Sequence, residues 1–571
     1  MTNSNLKDFD NFYANLAQSA YTGRPIKFPY ESQREKNRAL LNSGQSLYFD
    51  FSQDTKIYNK DKKEWEITPG GKHLPHNGRV YLQPDPELRD TYKVTSIPVP
   101  DANGMRQDIR HKRYQKGLLT DDEAGFSAYY LTDTPTLTND TTKTYMAIRG
   151  SDAISKENWN DWVDNDAKFA LNHIHTPQAK LATAGMKAKI AEMREKAPQA
   201  TMDITGHSLG TIVSAQGVAG LTDEELEKIG KVVLFDGPDT TKSLKKMGLS
   251  DEKIQKISEK IEYYVNPFDI VGMLNREHTI TKLPGDSDEP LRKPVGTVNV
   301  LVPLHYTQIT DPESSHDFGV FQSDGKGNLL TASEDFHPEL LRAGEKLARL
   351  IATTLDSLRA LGVDENVASN VLNAIMRGEF KIKAAIGYGV YENFTTEYSK
   401  IVEEARQESI KWDREAIPRY QEQLRNGNLT GEKRILVRAQ LLQTAAQLAN
   451  FDMEDKVKSV KTLLSDAKED IQNMIKETRQ TAFDMVGYLS SSEVTNLLSG
   501  FDTTSFWDEG VASDTKTAAT SFLTQIEQLG ESLVKASGSF ETIDTNSAED
   551  FNNLLADVKQ TWRGKNVSPN G

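Results

Sequence analysis

Asp203-Ile204-Thr205-Gly206-His207-Ser208-Leu209-Gly210 is the stretch on which the reading of this chain turns. A short β-like run, Thr201 to Thr205, leads into it, and a helix-like run, Thr211 to Leu221, follows it. G-x-S-x-G at that junction fits a sharp strand-to-helix turn that holds a serine hydroxyl out for attack. The two glycines let strand and helix approach without Cβ clashes. The helix would bring its positive N-terminal end to the place where an oxyanion develops. Ser214, Ala215, Gly217, Ala219 and Gly220 are small enough to let that helix lie close on a sheet. A chance match is the bland alternative, and the placement between strand and helix weighs against it.

Outward from the motif, apolar runs ending in Gly, Pro or Asn alternate with helical segments. TYMAIRG, VVLFDGP, IEYYVNP and VNVLVP read as buried strands of a parallel sheet, and Gln178 to Lys196 and Asp223 to Ile229 read as helices between them. That alternation predicts an α/β architecture. In a fold of this kind the acid and the histidine follow the serine in sequence. Asp236 and Asp269 both stand at strand ends; Asp269, one strand further on, is preferred, with Asp236 as a loop cap near the site. Among the later histidines, His316 lies in a polar loop, Ser314-Ser315-His316-Asp317, that suits a base reaching both serine and acid; His305 is the runner-up. His207, next to the serine, reads as a packing residue or a member of the substrate groove rather than the base. An oxyanion hole needs two N–H donors. Leu209 supplies one, and the turn after Tyr145 to Ile148 supplies Ser151 as the other.

The chain has 571 residues, more than one compact domain usually holds, and a net charge of −15. That charge disfavours nucleic acid as a partner and gives no long-range attraction to an anionic membrane. Cysteine is absent, which removes disulfides, thiolate metal sites and cysteine nucleophiles together. The N-terminus, MTNSNLKDFDNFYANLAQ, does not read as a cleavable signal peptide.

From about His337 the pattern becomes helical. Met453, Val457, Val460, Leu464, Ala467, Ile471 and Met474 form a heptad seam; Ala519, Phe522, Ile526, Leu529 and Leu533 form a second, and Leu347, Ile351, Leu355 and Leu358 a third stripe. Pro418 should end or kink its helix. The expected organisation is an N-terminal extension packed on the hydrolase over 1–120, an α/β core over 121–335, and an elongated all-α domain over 336–571.

Ile148-Arg149-Gly150-Ser151, then Trp159, Trp162, Asp164 and Asp166, then Gly206 to Gly210, Asp269 and His316 stand in the order found in class 3 (fungal-type) lipases, which the chain resembles over about 120–330. Ile148 and Ser151 replace the Phe and Thr usual in that family's oxyanion turn. The resemblance implies an α/β-hydrolase fold (mostly parallel sheet with flanking helices), acyl-ester hydrolysis without metal or cofactor, and a lid. Trp159, Trp162, Phe169 and His207 would belong to that lid or groove, or else to the core. The helical part is similar to the LXG-type targeting domains of type VII-secreted toxins, in reversed order. Phe506-Trp507-Asp508-Glu509-Gly510 gives W-x-x-G where the small export partners of such proteins carry W-x-G. This likeness implies secretion without a cleaved signal, small helical WXG-like partners on the C-terminal domain, an immunity protein on the lipase domain, and a lipid substrate at a membrane or micelle surface. The expectation is therefore a secreted serine lipase, of phospholipase A type, used as an antibacterial toxin. The rivals are a helical partner-binding protein with an inert hydrolase-like scaffold and an intracellular housekeeping esterase.

Overall fold

Residues Lys143 to Ile148 and Thr201 to His207 are buried along nearly their whole length, as strands in the middle of a sheet covered on both faces are. The computed structural model describes residues 6, 10–22, 34–59, 64–101, 104–150, 176–306, 315–324, 327–362, 385–426, 429, 431–485 and 487–539. Its strands are β1 (Leu47–Asp50), β2 (Thr55–Asn59), β3 (Glu64–Thr68), β4 (Arg79–Leu82), β5 (Arg89–Asp101), β6 (Gly104–Lys116), β7 (Thr120–Asp121), β8 (Phe126–Thr132), β9 (Lys143–Ile148), β10 (Thr201–His207), β11 (Ile229–Phe235), β12 (Ile261–Val265) and β13 (Thr297–Val300). Its helices are α1 (Phe12–Thr22), α2 (Arg34–Asn42), α3 (Pro177–Lys196), α4 (Leu209–Ala219), α5 (Asp223–Leu226), α6 (Thr241–Lys246), α7 (Asp251–Ser258), α8 (Ile270–Met273), α9 (Pro338–Ala360), α10 (Ala385–Arg425), α11 (Gly431–Met485), α12 (Ser491–Leu497) and α13 (Glu509–Ser539).

The sheet runs β13-β12-β11-β10-β9-β8-β7-β6-β5, with β4 joined to β8 and β1 to β4. β9 to β13 pair in parallel, and from β8 outward the pairing is antiparallel. This is the mostly parallel sheet with flanking helices of an α/β hydrolase. Side chains of β9 alternate between its two faces. Tyr145 and Ala147 join Phe12, Leu16 and Ala20 of α1, whereas Thr144 reaches Met193 of α3. The N-terminal region thus covers one face with α1 and extends the same sheet with β1 and β4 to β7. The carboxyl ends of β10, β11 and β12 lie side by side, and ligand sites of open parallel sheets form at such ends.

The chain divides into two compact units, Met1–Ser409 and Ile410–Gly571, with the division inside α10 and not at residue 335. Glu345 gives the reason. It is fully buried on α9 and accepts from the backbone N–H of His278 (2.7 Å) and Ile280 (3.2 Å). Arg349 binds Glu345 at 2.7 Å and forks onto Asp286 at 2.6 and 2.5 Å. The stripe Leu347, Ile351, Leu355 and Leu358 is buried, so α9 belongs to the hydrolase unit. Glu345→Ala removes the acceptor of two part-buried N–H groups and one partner of Arg349, and should cost about 2–4 kcal/mol of stability. Urea unfolding reads this directly; a loss under about 1 kcal/mol would show that the contact does not hold α9 in place.

The second unit is helical. Ala416, Tyr420, Val437, Leu441 and Leu442 form a core cluster, with Trp412 and Leu533 packed against it. Gly530 of α13 passes close to α11: a Cβ there would lie 3.2 Å from Cβ of Ala446. The expected seam is buried at Met453 and Val457 and half-buried at Val460, Leu464 and Ile471, and then shifts by one residue, with Ile475 buried and Met474 60% exposed. A strict heptad drifts around a helix of 3.6 residues per turn. Phe522 and Leu529 of α13 are exposed for the same reason, and Leu523 and Gly530 turn inward in their place. Pro418 does not end its helix; α10 runs through it, with Ala416 and Tyr420 packed on either side of the missing N–H.

Candidate active site

Ser208 sits between β10 and α4 at φ +57° and ψ −130°. A non-glycine residue at positive φ is strained, and here the turn is fixed from several sides. The Ser208 N–H donates to the Phe235 carbonyl at 3.0 Å, and the Ser208 carbonyl accepts from the Thr211 hydroxyl at 2.6 Å. A Cβ on Gly206 would lie 2.6 Å from the Gly210 carbonyl oxygen, so strand and helix touch there backbone to backbone. A Cβ on Gly210 would lie 2.5 Å from the Ile148 carbonyl oxygen and 3.1 Å from the Gly150 nitrogen, which places the end of β9 against the first turn of α4. Leu209 opens α4, so its N–H belongs to the first turn, which has no intrahelical acceptor. Ser151, Trp159, Trp162 and Phe169 lie outside the described residues.

The expected acid and base come together. Asp269 follows β12 and caps α8, with Oδ1 accepting from the Val271 N–H at 3.2 Å and Oδ2 from the Gly272 N–H at 2.6 Å. The same Oδ2 faces Nδ1 of His316 at 3.0 Å. The two loops are latched to each other. Asn266 donates its side-chain amide to the Ser315 carbonyl at 2.9 Å, and Ser315 donates its hydroxyl to the Phe268 carbonyl at 2.9 Å. That carbonyl also accepts from the buried Tyr398 hydroxyl of α10, at 2.7 Å. Among the described residues, the histidine on Asp269 is His316 and not His305.

His207 is packed among neighbouring rings. It is 6% exposed, with its ring 4.6 Å from that of His316 and 4.4 Å from that of Phe318, centroid to centroid. Its Nε2 bonds the His316 carbonyl at 2.9 Å, and its Nδ1 meets the Tyr21 hydroxyl of α1 at 3.1 Å. Burial, then the neighbouring His316, hold its pKa well below the usual value, so the ring is neutral. The Tyr21 hydroxyl reaches both the His207 carbonyl, at 3.0 Å, and Nδ1, and its one proton serves one of them at a time. His207 is therefore a strut between the N-terminal helix and the backbone of the loop that carries His316.

For His316, burial opposes the charged form, but the charge and hydrogen bond of Asp269, with help from Asp236 and Asp317, outweigh it and raise the pKa to about 9. If this imidazole is the proton acceptor, it works only when neutral. The rate of hydrolysis of an uncharged ester should then climb with pH to a plateau above about 9, and a kcat/KM profile flat from pH 6 to 10 would contradict this assignment. The linkage to stability has the opposite slope: the pair's contribution is complete below the free-histidine range and falls away as pH rises through about 9.

One ligand-type atom from each of His207, Asp236 and His316 lies within 4.8 Å of the others. Both nitrogens of His207 and Nδ1 of His316 are committed to hydrogen bonds with other groups. Tyr21, Asn266, Ser315 and Tyr398 escaped the sequence reading. Only Asn266 and Ser315 carried a signal, as neighbours of the acid and the histidine.

A serine on a strained elbow at the end of a central parallel strand, with a buried aspartate–histidine pair beside the neighbouring strand ends, defines the α/β-hydrolase class. Residues 132–279, roughly a quarter of the chain, match the cutinase family and form a cutinase-family domain, an esterase/lipase-type hydrolase. Members of that family are serine carboxylic ester hydrolases. The match includes Ser208, Asp236 and Asp269 and ends before His316. No curated protein and no solved structure matches the chain.

Proposed function

We propose that the chain hydrolyses acyl esters of lipids, with phospholipase A-type activity, through Ser208, His316 and Asp269. Ser208 Oγ attacks the ester carbonyl while His316 takes its proton. The tetrahedral oxyanion rests on the N–H groups of Leu209 and Ser151. His316 then passes the proton to the leaving alcohol, and the acyl-serine is released by water activated in the same way. Asp269 orients the imidazole and stabilises its protonated form. The observation that carries this reading is the 3.0 Å contact between His316 Nδ1 and Asp269 Oδ2 beside the Ser208 elbow.

A fluorophosphonate probe should label wild type at Ser208, and mixed phospholipid and triglyceride vesicles should yield free fatty acid with lysophospholipid. Absence of labelling together with absence of acyl release would refute the enzymatic reading and leave an inert scaffold. The wider setting is also a proposal: type VII export of an antibacterial toxin, with small helical partners on the C-terminal region and an immunity protein over the lipase. Exposed Met485, Tyr488, Leu497 and Phe506 in the helical unit favour a partner-binding role there. Secretion assays in a producing culture test it; retention of all the protein in the cytoplasm would favour a housekeeping esterase.

A further inference from the structure

Asp236 is a second buried acid in the cluster, and the mechanism above gives it no task. It follows β11 at φ +46°, a costly conformation for a side-chain-bearing residue, and is fully buried. Its Oδ1 accepts from the Asn266 N–H at 2.7 Å. Its Oδ2 is buried with no hydrogen-bond partner among the described residues. One of its carboxylate oxygens lies within 4.8 Å of ring nitrogens of both His207 and His316. The two acids also face one space: a Cβ on Gly272 would lie 2.9 Å from Oδ2 of Asp269 and 3.5 Å from Oδ1 of Asp236.

Arg276 fixes their spacing. Fully buried, it donates Nε to the Gly272 carbonyl (2.7 Å) and Nη2 to the Gly237 carbonyl (2.8 Å), tying the turn after one acid to the turn after the other. A loop cap needs one acceptor oxygen, and Oδ1 already serves the Asn266 N–H. A second, unpartnered oxygen on a carboxylate that lies beside two imidazoles is what a cap does not need.

We propose that Asp236 is a second positioning acid for His316, sharing its orientation with Asp269 and taking it over when Asp269 is lost. Two carboxylates this close do not both ionise easily. Burial first, then the charge of Asp269, push the Asp236 pKa well above the ordinary range, while His316 and the Asn266 N–H pull it back and Asp317 adds to the rise. Asp236 is therefore held protonated in the resting protein. Removing Asp269 lifts the repulsion, Asp236 ionises, and its unpartnered oxygen becomes the acceptor for the Nδ1 proton.

The activity arm of the test rests on the hydrolase reading; the spectroscopic arm does not. Asp269→Ala, Asp236→Asn and the double variant are compared with His316→Ala as the floor. Asp269→Ala should lose about 100-fold in kcat and stay well above that floor, which lies about 10,000-fold down. Adding Asp236→Asn should cost at least a further 30-fold, several times its cost in the wild-type background. Asp269→Ser, which keeps the α8 cap, repeats the comparison if the alanine variant does not fold. By NMR, the His316 imidazole should titrate higher in Asp269→Ala than in the double variant, whether or not any ester is turned over. Asp269→Ala already at the floor, or identical His316 titrations with and without Asp236, would overturn the proposal. A wild type inactive on every ester, with the titrations separated as expected, would overturn the hydrolase reading and keep the pairing.

Discussion

Ser208→Ala is expected to lose at least about 10,000-fold in ester hydrolysis while melting within a degree or two of wild type. The local structure explains both halves of that expectation. The Ser208 bonds to Phe235 and Thr211 run through its backbone, so alanine keeps them. Alanine is also no more strained than serine at φ +57°. What disappears is the hydroxyl, and with it the acyl-enzyme route. His316→Ala should cost about as much, and the double variant should be hardly worse than either, because the two groups act in one step. Steady-state kinetics on a short-chain ester with calorimetry on the same samples settles the matter. Additive losses would indicate that the two groups work independently and the triad reading is wrong.

Gly210→Ala should cost about 100-fold in kcat and about 1–3 kcal/mol in stability. The new methyl would meet the Ile148 carbonyl oxygen at 2.5 Å and the Arg149 carbonyl carbon at 3.2 Å. Both are backbone atoms of the β9 end, so no rotamer change relieves the contact. The first turn of α4 must back away, carrying the Leu209 N–H with it, and a displacement near 1 Å at a reacting centre is enough for a loss of that size. Gly217→Ala, later in the same helix, is the control. Its methyl would meet Ala182 Cβ and Met186 Cε at 3.1 Å, and the flexible methionine can yield. That variant should keep most of its activity. Equal losses in the two variants would mean that helix propensity, not the contact with β9, governs the effect.

The strands around the elbow were legible because buried parallel strands are short and rich in β-branched and aromatic residues, as VVLF and the YYV of IEYYV are. The elbow was legible because its chemistry requires glycines at fixed offsets. Asp269 was singled out by strand order and His316 by its polar loop, and the two side chains meet at 3.0 Å. The Tyr21–His207 strut was not legible: it joins positions 186 residues apart, and nothing local to FYANLAQSAYT announces it. The stripe on α9 was visible as a stripe, but periodicity gives a face and not the body it packs against, so α9 was assigned to the wrong side of the boundary. The seam on α11 was read with the right spacing at its start and lost register where the heptad drifts from the real helical period.

The Tyr398 hydroxyl on the Phe268 carbonyl bears on anyone who wants the enzyme in a smaller package. Trimming to the stretch that matches cutinases would discard His316 outright, and stopping at residue 335 would discard the screw that tightens the acid turn from behind. The smallest piece worth purifying for crystallisation or inhibitor screening runs to Ser409, and shorter versions should be sluggish for reasons unrelated to the chemistry of the serine.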